Sequence, residues 1–465
     1  MKRKYLSLIL LAGVMSCNVL DQEPQVQISD QAAFSNAKSA EAALAGLYNQ
    51  LQDEDYYGGS FIHQTECASD LSQSVGTWDF YRELDTYSID ASNQEITQFY
   101  ERAYKGVNQA NNIIANVPGI ADLTDEKKNN YLGQAYFLRG LMFFDLVRTF
   151  GGIPGESGKY GIALPLKPAT QIDESIYLSR ETIAKSYEQV RTDLETALTL
   201  LPENQGSDGA SRSSAVKGSA RALLSRYHLY MKEYDDAIDY ATLVIDDPRY
   251  ILEPSYEAIY SNKLTTESIF ELAFDNIDQS DVRYWYFPGA QGGRGELAVH
   301  EDFVTEIQAN PADVRGTMFG FDAIQGVYYP TKYKKANDDD NVHILRIAEM
   351  YLIRAEARAI KGYAGAEDDL NEVRNRAGVA DYNAITDGTL TDAILKENKF
   401  EFAFEGHRWF DLVRTGNALT ALSSVNRKNS SAPVSLDNPD YLVFPIPRDE
   451  TLSNPNMNQN DGYGN

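Results

Sequence analysis

The sequence predicts a mostly α-helical domain whose scaffold consists of about four antiparallel, tetratricopeptide-like helix pairs. Apolar residues recur at helical spacing over most of residues 95–250 and 343–420. Two stretches, 212–248 and 344–378, each contain two amphipathic segments joined by a short turn with the sequence KEY or KGY. A hexapeptide that occurs twice is the third sign of a repeated helical unit.

This hexapeptide, FDLVRT, occupies Phe144–Thr149 and Phe410–Thr415. On a helix, its Phe and Val share one face, and its Asp and Arg are close enough to form an ion pair. A glycine lies four positions before each Phe, at Gly140 and Gly406. This composition predicts the end of a packed helix. We therefore interpret the repeat as scaffold and not as two halves of an active site.

The first residues predict a targeting segment, 1–16. A basic MKRK is followed by an apolar run that is too short to span a bilayer, and then by small residues before Cys17. This order is typical of a bacterial lipoprotein signal in which Cys17 is acylated; an ordinary secretory signal is the alternative. Residues 17–30 are polar and predict a lipidated tether, and 31–465 a single domain.

Helical periodicity begins within 31–50 and continues in the pairs. The predicted pairs are 95–149, 180–230 overlapped by 233–247, 344–378 and 389–415. Within 212–248, Ala237 is the small residue that lets two helices approach, and Pro248 closes the unit. Trp409 falls in a regular helical pattern, EFAFEGHRWFDLVR, and is therefore predicted to be structural.

Two stretches, 52–93 and 250–342, lack this periodicity and are rich in tyrosine, glycine and aspartate. Long irregular segments inside a compact domain are usually functional. The second stretch contains four consecutive aromatic residues, YWYF, followed by a glycine-rich run. We expect the ligand-binding surface to lie in these two stretches.

Composition and motifs argue against several classes of protein. A formal charge of −26 over 465 residues disfavours nucleic acid as a partner. Cys67 is the one cysteine besides Cys17, so no internal disulfide is expected. The sequence contains no G-x-S-x-G, H-E-x-x-H or phosphate-loop motif, and its five histidines are scattered. We therefore predict no catalytic residues, no bound metal and no cofactor.

Aromatic residues beside charged ones favour a sugar ligand. An aromatic ring stacks on the apolar face of a sugar, while carboxylates, amides and guanidinium groups bond its hydroxyls. Trp78 and Trp285 are the expected stacking platforms, although Trp285 could instead anchor a loop in the core. The polar contacts expected beside these rings are Asp79, Arg82, Asp281 and Arg283.

Five parts of the sequence form a set: the cysteine motif, YFLRGLMFFDLVRTFGGIP, the IAEMYLIRAEA-to-NEVRNRAG unit, ENKFEFAFEGHRWFDLVRTG and FPIPRDETLSNPNMNQNDGY. Together they resemble the SusD/RagB family of surface glycan-binding lipoproteins of Bacteroidetes. The resemblance implies a SusD-like scaffold of four tetratricopeptide-like helix pairs with an irregular binding face, and no enzymatic activity. It also implies a place at the outer membrane, facing outward, where the protein would deliver oligosaccharides to a SusC-like TonB-dependent transporter.

By this resemblance, the ligand contacts come from the loops after the first helix and before the third repeat. The residues at those places are Asp70, Trp78, Tyr284, Trp285 and Tyr286. A peptide-binding, RagB-like member of the same family is the main alternative. An unfamiliar enzyme and an assembly adaptor without a small ligand also stay open at this point.

Overall fold

A computed structural model describes residues 34–169 and 174–464 of the chain. The predicted signal peptide, Cys17 and the tether to residue 30 lie outside these ranges. Among the described residues, no helix has both the length and the apolar composition that a membrane crossing would need.

Long helices alternate along the chain with short helices and short strands. The first helices are α1 (Ala37–Gln52), α2 (Ser60–Ala68), α3 (Asp79–Asp85), α4 (Gln94–Asn116), α5 (Asp125–Leu146), α6 (Ile183–Leu200), α7 (Asp208–Ser213), α8 (Lys217–Tyr230) and α9 (Tyr234–Ile245). They are followed by α10 (Tyr256–Ser261), α11 (Glu301–Gln308), α12 (Ile347–Lys361), α13 (Ala366–Arg376), α14 (Leu390–Glu401), α15 (Arg408–Arg414), α16 (Ala418–Ala421) and α17 (Arg448–Ser453). The strands are β1 (Ser72–Ser74), β2 (Ser268–Leu272), β3 (Leu297–Val299), β4 (Phe319–Asp322), β5 (Val327–Pro330) and β6 (Val342–Arg346).

The long helices form one continuous stack, which confirms the mostly α fold class. Helix α4 packs on α5, α5 on α6, α6 on α8, α8 on α9, α9 on α12, and α12 on α13 and α14. Ala237 is buried at the crossing of α8 and α9, where its carbonyl accepts a hydrogen bond of 2.9 Å from Ser225 Oγ. The predicted unit at 344–378 is wrong at its start, because residues up to Arg346 belong to β6.

The two FDLVRT copies end differently. In the first, α5 continues into a π-helical turn over Val147–Gly151. In the second, the helical pattern predicted across EFAFEGHRWFDLVR is interrupted: α14 ends at Glu401, and a turn with Phe404 (φ 65°) and Gly406 (φ 79°) precedes the short α15. The predicted pair 389–415 therefore consists of α14 and α15. Gly140 has another role, since a Cβ there would lie 2.9 Å from Leu194 Cδ2 on α6.

Both copies are buried, and they touch each other. Arg148 of the first copy forms an ion pair of 2.7 Å with Asp145, and its guanidinium carbon lies 3.9 Å from the ring centroid of Phe410 in the second copy. Arg414 pairs with Glu356 of α12 over 2.6 Å. In both places the hexapeptide thus contributes to packing and to ion pairs, as its composition predicts. Trp409, beside the second copy, is also buried as predicted.

The two stretches predicted to be irregular are joined by a four-stranded sheet. Its order is β1-β3-β5-β4, and antiparallel pairing places Ser72 opposite Val299 and Ser74 opposite Leu297. The stretch 52–93 supplies β1, and 250–342 supplies the other three strands. These short elements were not predicted, because strands of three or four residues carry too little alternation to be recognised. The pairing makes one region of the two stretches.

A buried cluster of charges fastens a second, two-stranded sheet, in which β2 pairs with β6, to the helices. Arg346, at the end of β6, pairs with Glu267 (2.7 Å), Glu401 (2.7 Å) and Glu405 (2.9 Å). Arg376 of α13 also bonds Glu267 and Glu401. All of these side chains are almost completely buried.

We expect Arg346→Met to lower the free energy of unfolding by about 3–5 kcal/mol, because it leaves three buried carboxylates short of a cation. Urea denaturation of the 34–465 chain measures this loss. Lys185→Met removes an exposed pair with Glu181 and should change stability by less than about 0.5 kcal/mol. A loss of similar size in both variants would contradict the importance of the cluster.

Glu66 on α2 makes a second link to this region, since its Oε1 accepts a hydrogen bond of 2.7 Å from the Gly406 amide. Burial raises the pKa of Glu66 to about 8. The folded chain therefore keeps a proton that the unfolded chain releases near the ordinary pKa of 4.5. Between those values, this group makes stability fall as pH rises.

Glu66→Gln should remove that pH dependence, because the amide is uncharged at every pH. The free energy of unfolding of the variant minus that of the wild type should therefore increase as the pH rises from about 5 to about 8. Urea denaturation at both pH values measures this change. A difference that stays constant over this range would show that Glu66 is ionised in the folded protein.

Candidate ligand-binding site

The fold brings together the two tryptophans that the sequence singled out. Trp78 lies just before α3, and Trp285 lies in the loop before β3. Their ring centroids are 5.7 Å apart with planes inclined at 48°. Both side chains are partly buried and partly open to solvent. The pairing of β1 with β3 is what makes residues more than 200 positions apart neighbours.

Trp285 is fixed by backbone hydrogen bonds and by other rings. Its carbonyl accepts hydrogen bonds of 3.0 Å from the amides of both Glu296 and Leu297, where β3 begins. The rings of Tyr81 and Tyr284 contact the indole edge-on, with centroid distances of 5.1 and 5.9 Å. The indole therefore has a defined orientation before any ligand arrives.

Trp78 is held by two carboxylates. Its indole Nε1 donates to Glu95 Oε1 over 2.9 Å, and its amide donates to Glu296 Oε2 over 2.9 Å. The Thr77 amide donates to the same Glu296 oxygen over 2.6 Å. Gly76 allows this approach, because a Cβ at that position would clash with Glu296 Oε2. Helix α4, which carries Glu95, thus fixes the orientation of the Trp78 indole.

Glu95 is the centre of a buried hydrogen-bond network. Its Oε2 accepts from Ser60 Oγ over 2.6 Å and from Tyr81 Oη over 3.1 Å. Burial, and then the Glu95 carboxylate, raise the pKa of Tyr81 well above its usual value, so Tyr81 remains a donor. Burial lowers the pKa of His63, next to Tyr81, to about 4, so this imidazole is neutral. This network fixes the orientation of the Trp78 and Tyr81 rings.

Arg294 completes the site, although no sequence pattern singled it out beforehand. Its guanidinium carbon lies 4.7 Å from the Trp78 ring centroid and 4.9 Å from that of Trp285. Its Nε donates to Glu296 Oε1 over 3.1 Å. An available signal was an arginine inside the glycine-rich run GGRG after the aromatic residues. We call Trp78, Trp285 and Arg294 the tryptophan cluster.

Two predicted polar residues lie exposed beside this cluster. Asp79 and Arg82, in the helix that follows Trp78, form an ion pair of 2.5 Å with side chains 76% and 43% exposed. Asp281 is partly buried; burial and the neighbouring Glu54 raise its pKa to about 6. Asp79 and Arg82 are therefore accessible to a ligand in contact with Trp78.

Two other predicted residues point into the protein. Arg283 is buried and pairs with Asp338 over 2.9 Å. Tyr286 is buried and donates to Ser72 Oγ over 3.0 Å. In contrast, Tyr284 is partly exposed beside Trp285. Of the aromatic run, the structure therefore leaves Tyr284 and Trp285 open to a ligand.

Asp70 is engaged in a structural ion pair. Its carboxylate bonds Arg408 over 2.7 Å and Lys399 over 2.9 Å. Burial acts to raise the pKa of Asp70, but these two cations outweigh it and hold the pKa below the usual range. Its role as a ligand contact stays a prediction based on the resemblance, and its present partners already satisfy the charge.

Two further places have the shape or the residue types of a site. A cavity of 480 Å³ beside α4 is lined by Tyr100, Tyr104 and Leu178, among others. His228, Glu233 and Asp236 have ligand atoms within 4.8 Å of one another. Local interactions account for this trio without a metal: His228 Nδ1 and Glu233 Oε2 are 2.6 Å apart, and Asp236 lies in the first turn of α9, where the helix dipole favours carboxylates.

Two family models match the chain. One, described as the SusD family, matches residues 305–463, and the other, described as starch-binding associating with outer membrane, matches residues 18–229. Trp78 lies inside a matched range, whereas Trp285 and Arg294 lie between the two.

Among known proteins, SusD-like protein P2 of Formosa agariphila is 25% identical over 99% of this chain and 100% of its own length. The starch-binding protein SusD of Bacteroides thetaiotaomicron is 35% identical over 27% of this chain and 22% of its own. A solved structure, a putative sugar-binding protein from Bacteroides vulgatus, superposes with a TM-score of 0.79 at 26% identity, covering 93% of this chain and 100% of that one.

Glu296→Ala should loosen the loop that carries Trp78, because it removes the oxygen to which the amides of both Thr77 and Trp78 donate. Losing a hydrogen bond to a charged acceptor costs about 1.5–3 kcal/mol, so the amides of Thr77 and Trp78 should exchange roughly 10- to 100-fold faster. Hydrogen exchange measures this. The Val75 amide, which bonds the Glu296 carbonyl, is the internal control. Equal acceleration at Val75 would indicate general unfolding of the strand instead.

Proposed function

Because this chain belongs to the SusD/RagB family, we propose that it binds oligosaccharides through the tryptophan cluster and does not alter them chemically. The observation that carries the proposal is the convergence of Trp78 and Trp285, from distant parts of the chain, at 5.7 Å. Two inclined indoles suit the apolar faces of successive sugar units. A stacked ring contributes roughly 1–3 kcal/mol, by analogy with bases on aromatic side chains.

Polar groups at the edge of the cluster support the same ligand class. Asp79 and Arg82 are exposed beside Trp78, and a sugar presents hydroxyls that both donate and accept hydrogen bonds. Trp78 is held in place by the carboxylates of Glu95 and Glu296, and Trp285 by hydrogen bonds from the amides of Glu296 and Leu297 to its carbonyl. Little ordering is therefore needed when a ligand binds, which favours affinity.

The names of the relatives support glycans over other ligands. One relative is named a starch-binding protein, and one solved neighbour a putative sugar-binding protein. One family model is described as starch-binding and associated with the outer membrane. We transfer two properties to this chain as parts of the proposal: sugars as the general class of ligand, and association with the outer membrane.

Localisation and transport complete the proposal. We infer that Cys17 is acylated, that the lipid anchors the protein on the outer face of the outer membrane, and that the protein passes glycan to a SusC-like TonB-dependent transporter. The basic and apolar residues before Cys17 support the lipid anchor. Mass spectrometry of Cys17 and co-purification of the anchored protein with a TonB-dependent transporter test these two steps.

Trp285→Ala should weaken oligosaccharide binding roughly 5- to 150-fold while the protein stays folded, since it removes one stacking platform. Glycan and peptide libraries first identify a ligand of the 18–465 protein, and titration calorimetry then measures its affinity for the variant. Tyr363→Ala removes an exposed aromatic ring of the helical scaffold and should leave affinity unchanged.

Unchanged affinity in Trp285→Ala would remove this ring from the site. Binding to peptides alone would favour the peptide-binding alternative, and loss of an intact glycan during incubation would indicate an enzyme.

A further inference from the structure

We propose that Arg294 binds an anionic group of the glycan, a carboxylate or a sulfate, so that the site selects acidic oligosaccharides. This inference rests on the proposed function. It goes further by naming the class of sugar and the residue that selects it. The reason lies in which parts of the guanidinium are already engaged and which parts are free.

The outer edge of Arg294 is free. Its Nε donates to Glu296 Oε1 over 3.1 Å, whereas no described residue accepts a hydrogen bond from its two Nη groups. The side chain is 34% exposed. Two parallel N–H groups on one edge match the two oxygens of a carboxylate or a sulfate.

The guanidinium is held in a fixed direction. The Arg294 amide donates to the Tyr284 carbonyl over 2.6 Å, and Gly292 and Gly295 on either side adopt left-handed φ angles of 80° and 64°. Glu296, which holds Nε, is itself held by the amides of Thr77 and Trp78. An anion would therefore meet a preorganised fork and not a flexible surface arginine.

The position of Arg294 also disfavours a neutral sugar. Its guanidinium carbon lies within 5 Å of both indole ring centroids, so a sugar that stacks on either ring comes close to the guanidinium. An anionic substituent can form an ion pair with the free edge of this group, whereas a neutral sugar offers it hydroxyls alone. Both indoles lie close to the guanidinium and displace part of its water, which strengthens an ion pair at its free edge.

Carboxylates near the site oppose an anion, and the direct contact with Arg294 has to outweigh them. The carboxylates of Glu95 and Glu296 are buried and accept several hydrogen bonds, and Asp79 is paired with Arg82. The charge of −26 acts mostly from distant surface, and salt screens it beyond about 8 Å under physiological conditions. The contact at Arg294 decides the preference at short range.

The test uses pairs of oligosaccharides with the same backbone in which the anionic group is present or has been neutralised or removed. Polygalacturonate oligomers are compared with their methyl esters, sulfated galactan oligomers with their desulfated forms, and neutral gluco-oligosaccharides complete the panel on the 18–465 protein. We expect charged members of one or both pairs to bind at least ~10-fold more tightly than their neutral forms, and affinity to fall as NaCl is raised. The two arms distinguish carboxylate from sulfate.

Substitutions connect the preference to the residue. Arg294→Met should abolish the difference between charged and neutral members, and Arg294→Lys should keep part of it, because an ammonium group retains the charge without the fork. Arg221→Met, at a partly exposed arginine that pairs with Glu203 on the helical scaffold, should change nothing.

Two results would overturn the inference: a panel in which neutral members bind as well as charged ones, or a charge preference that persists in Arg294→Met. Either would leave the proposed function intact. A wild-type protein that binds no glycan in the panel or in a wider library would overturn the proposed function itself.

Discussion

The buried cluster around Arg346 is the constraint on which the rest of the structure depends. A charge this deep is costly unless hydrogen-bonded counter-charges surround it. The groups around it come from four places: Glu267 before β2, Glu401 at the end of α14, Glu405 in the next turn, and the neighbouring cation Arg376 at the end of α13. The cluster forms only when the ends of these elements meet, so it fixes the β2–β6 sheet against the ends of α13 and α14.

The helical stack in turn determines the position of the ligand site. Helix α4 carries Glu95 in its first turn, and that carboxylate holds both the Trp78 indole and the Tyr81 hydroxyl. The β1–β3 pairing then brings Trp285 to the same place. Rings that are already oriented lose little entropy on binding. The scaffold therefore contributes to affinity although none of its long helices is expected to touch the ligand.

The sequence predicted what depends on periodicity and residue type, and failed where long-range packing decides. The long helices, the burial of Trp409 and the scaffold role of FDLVRT follow from local patterns. The strand at 342–346 does not follow from such a pattern, since a short strand has little alternation. The break after Glu401 does not either, since EFAFEGHRWFDLVR keeps helical spacing across its turn. Similarly, residue type was enough to select Trp78 and Trp285. The choice between Arg283, which is buried, and Arg294, which is partly exposed, depends on burial, and a single sequence does not show burial.

Glu296 shows why the parts of the site depend on one another. One of its oxygens accepts hydrogen bonds from the amides of Thr77 and Trp78, and the other accepts a hydrogen bond from Nε of Arg294. The same carboxylate thus sets the position of a stacking ring and the direction of the guanidinium. If the ring supplies affinity and the guanidinium selects charge, these two properties are coupled through Glu296. The exposed side chains of Asp79 and Arg82 pair with each other and take no part in this coupling.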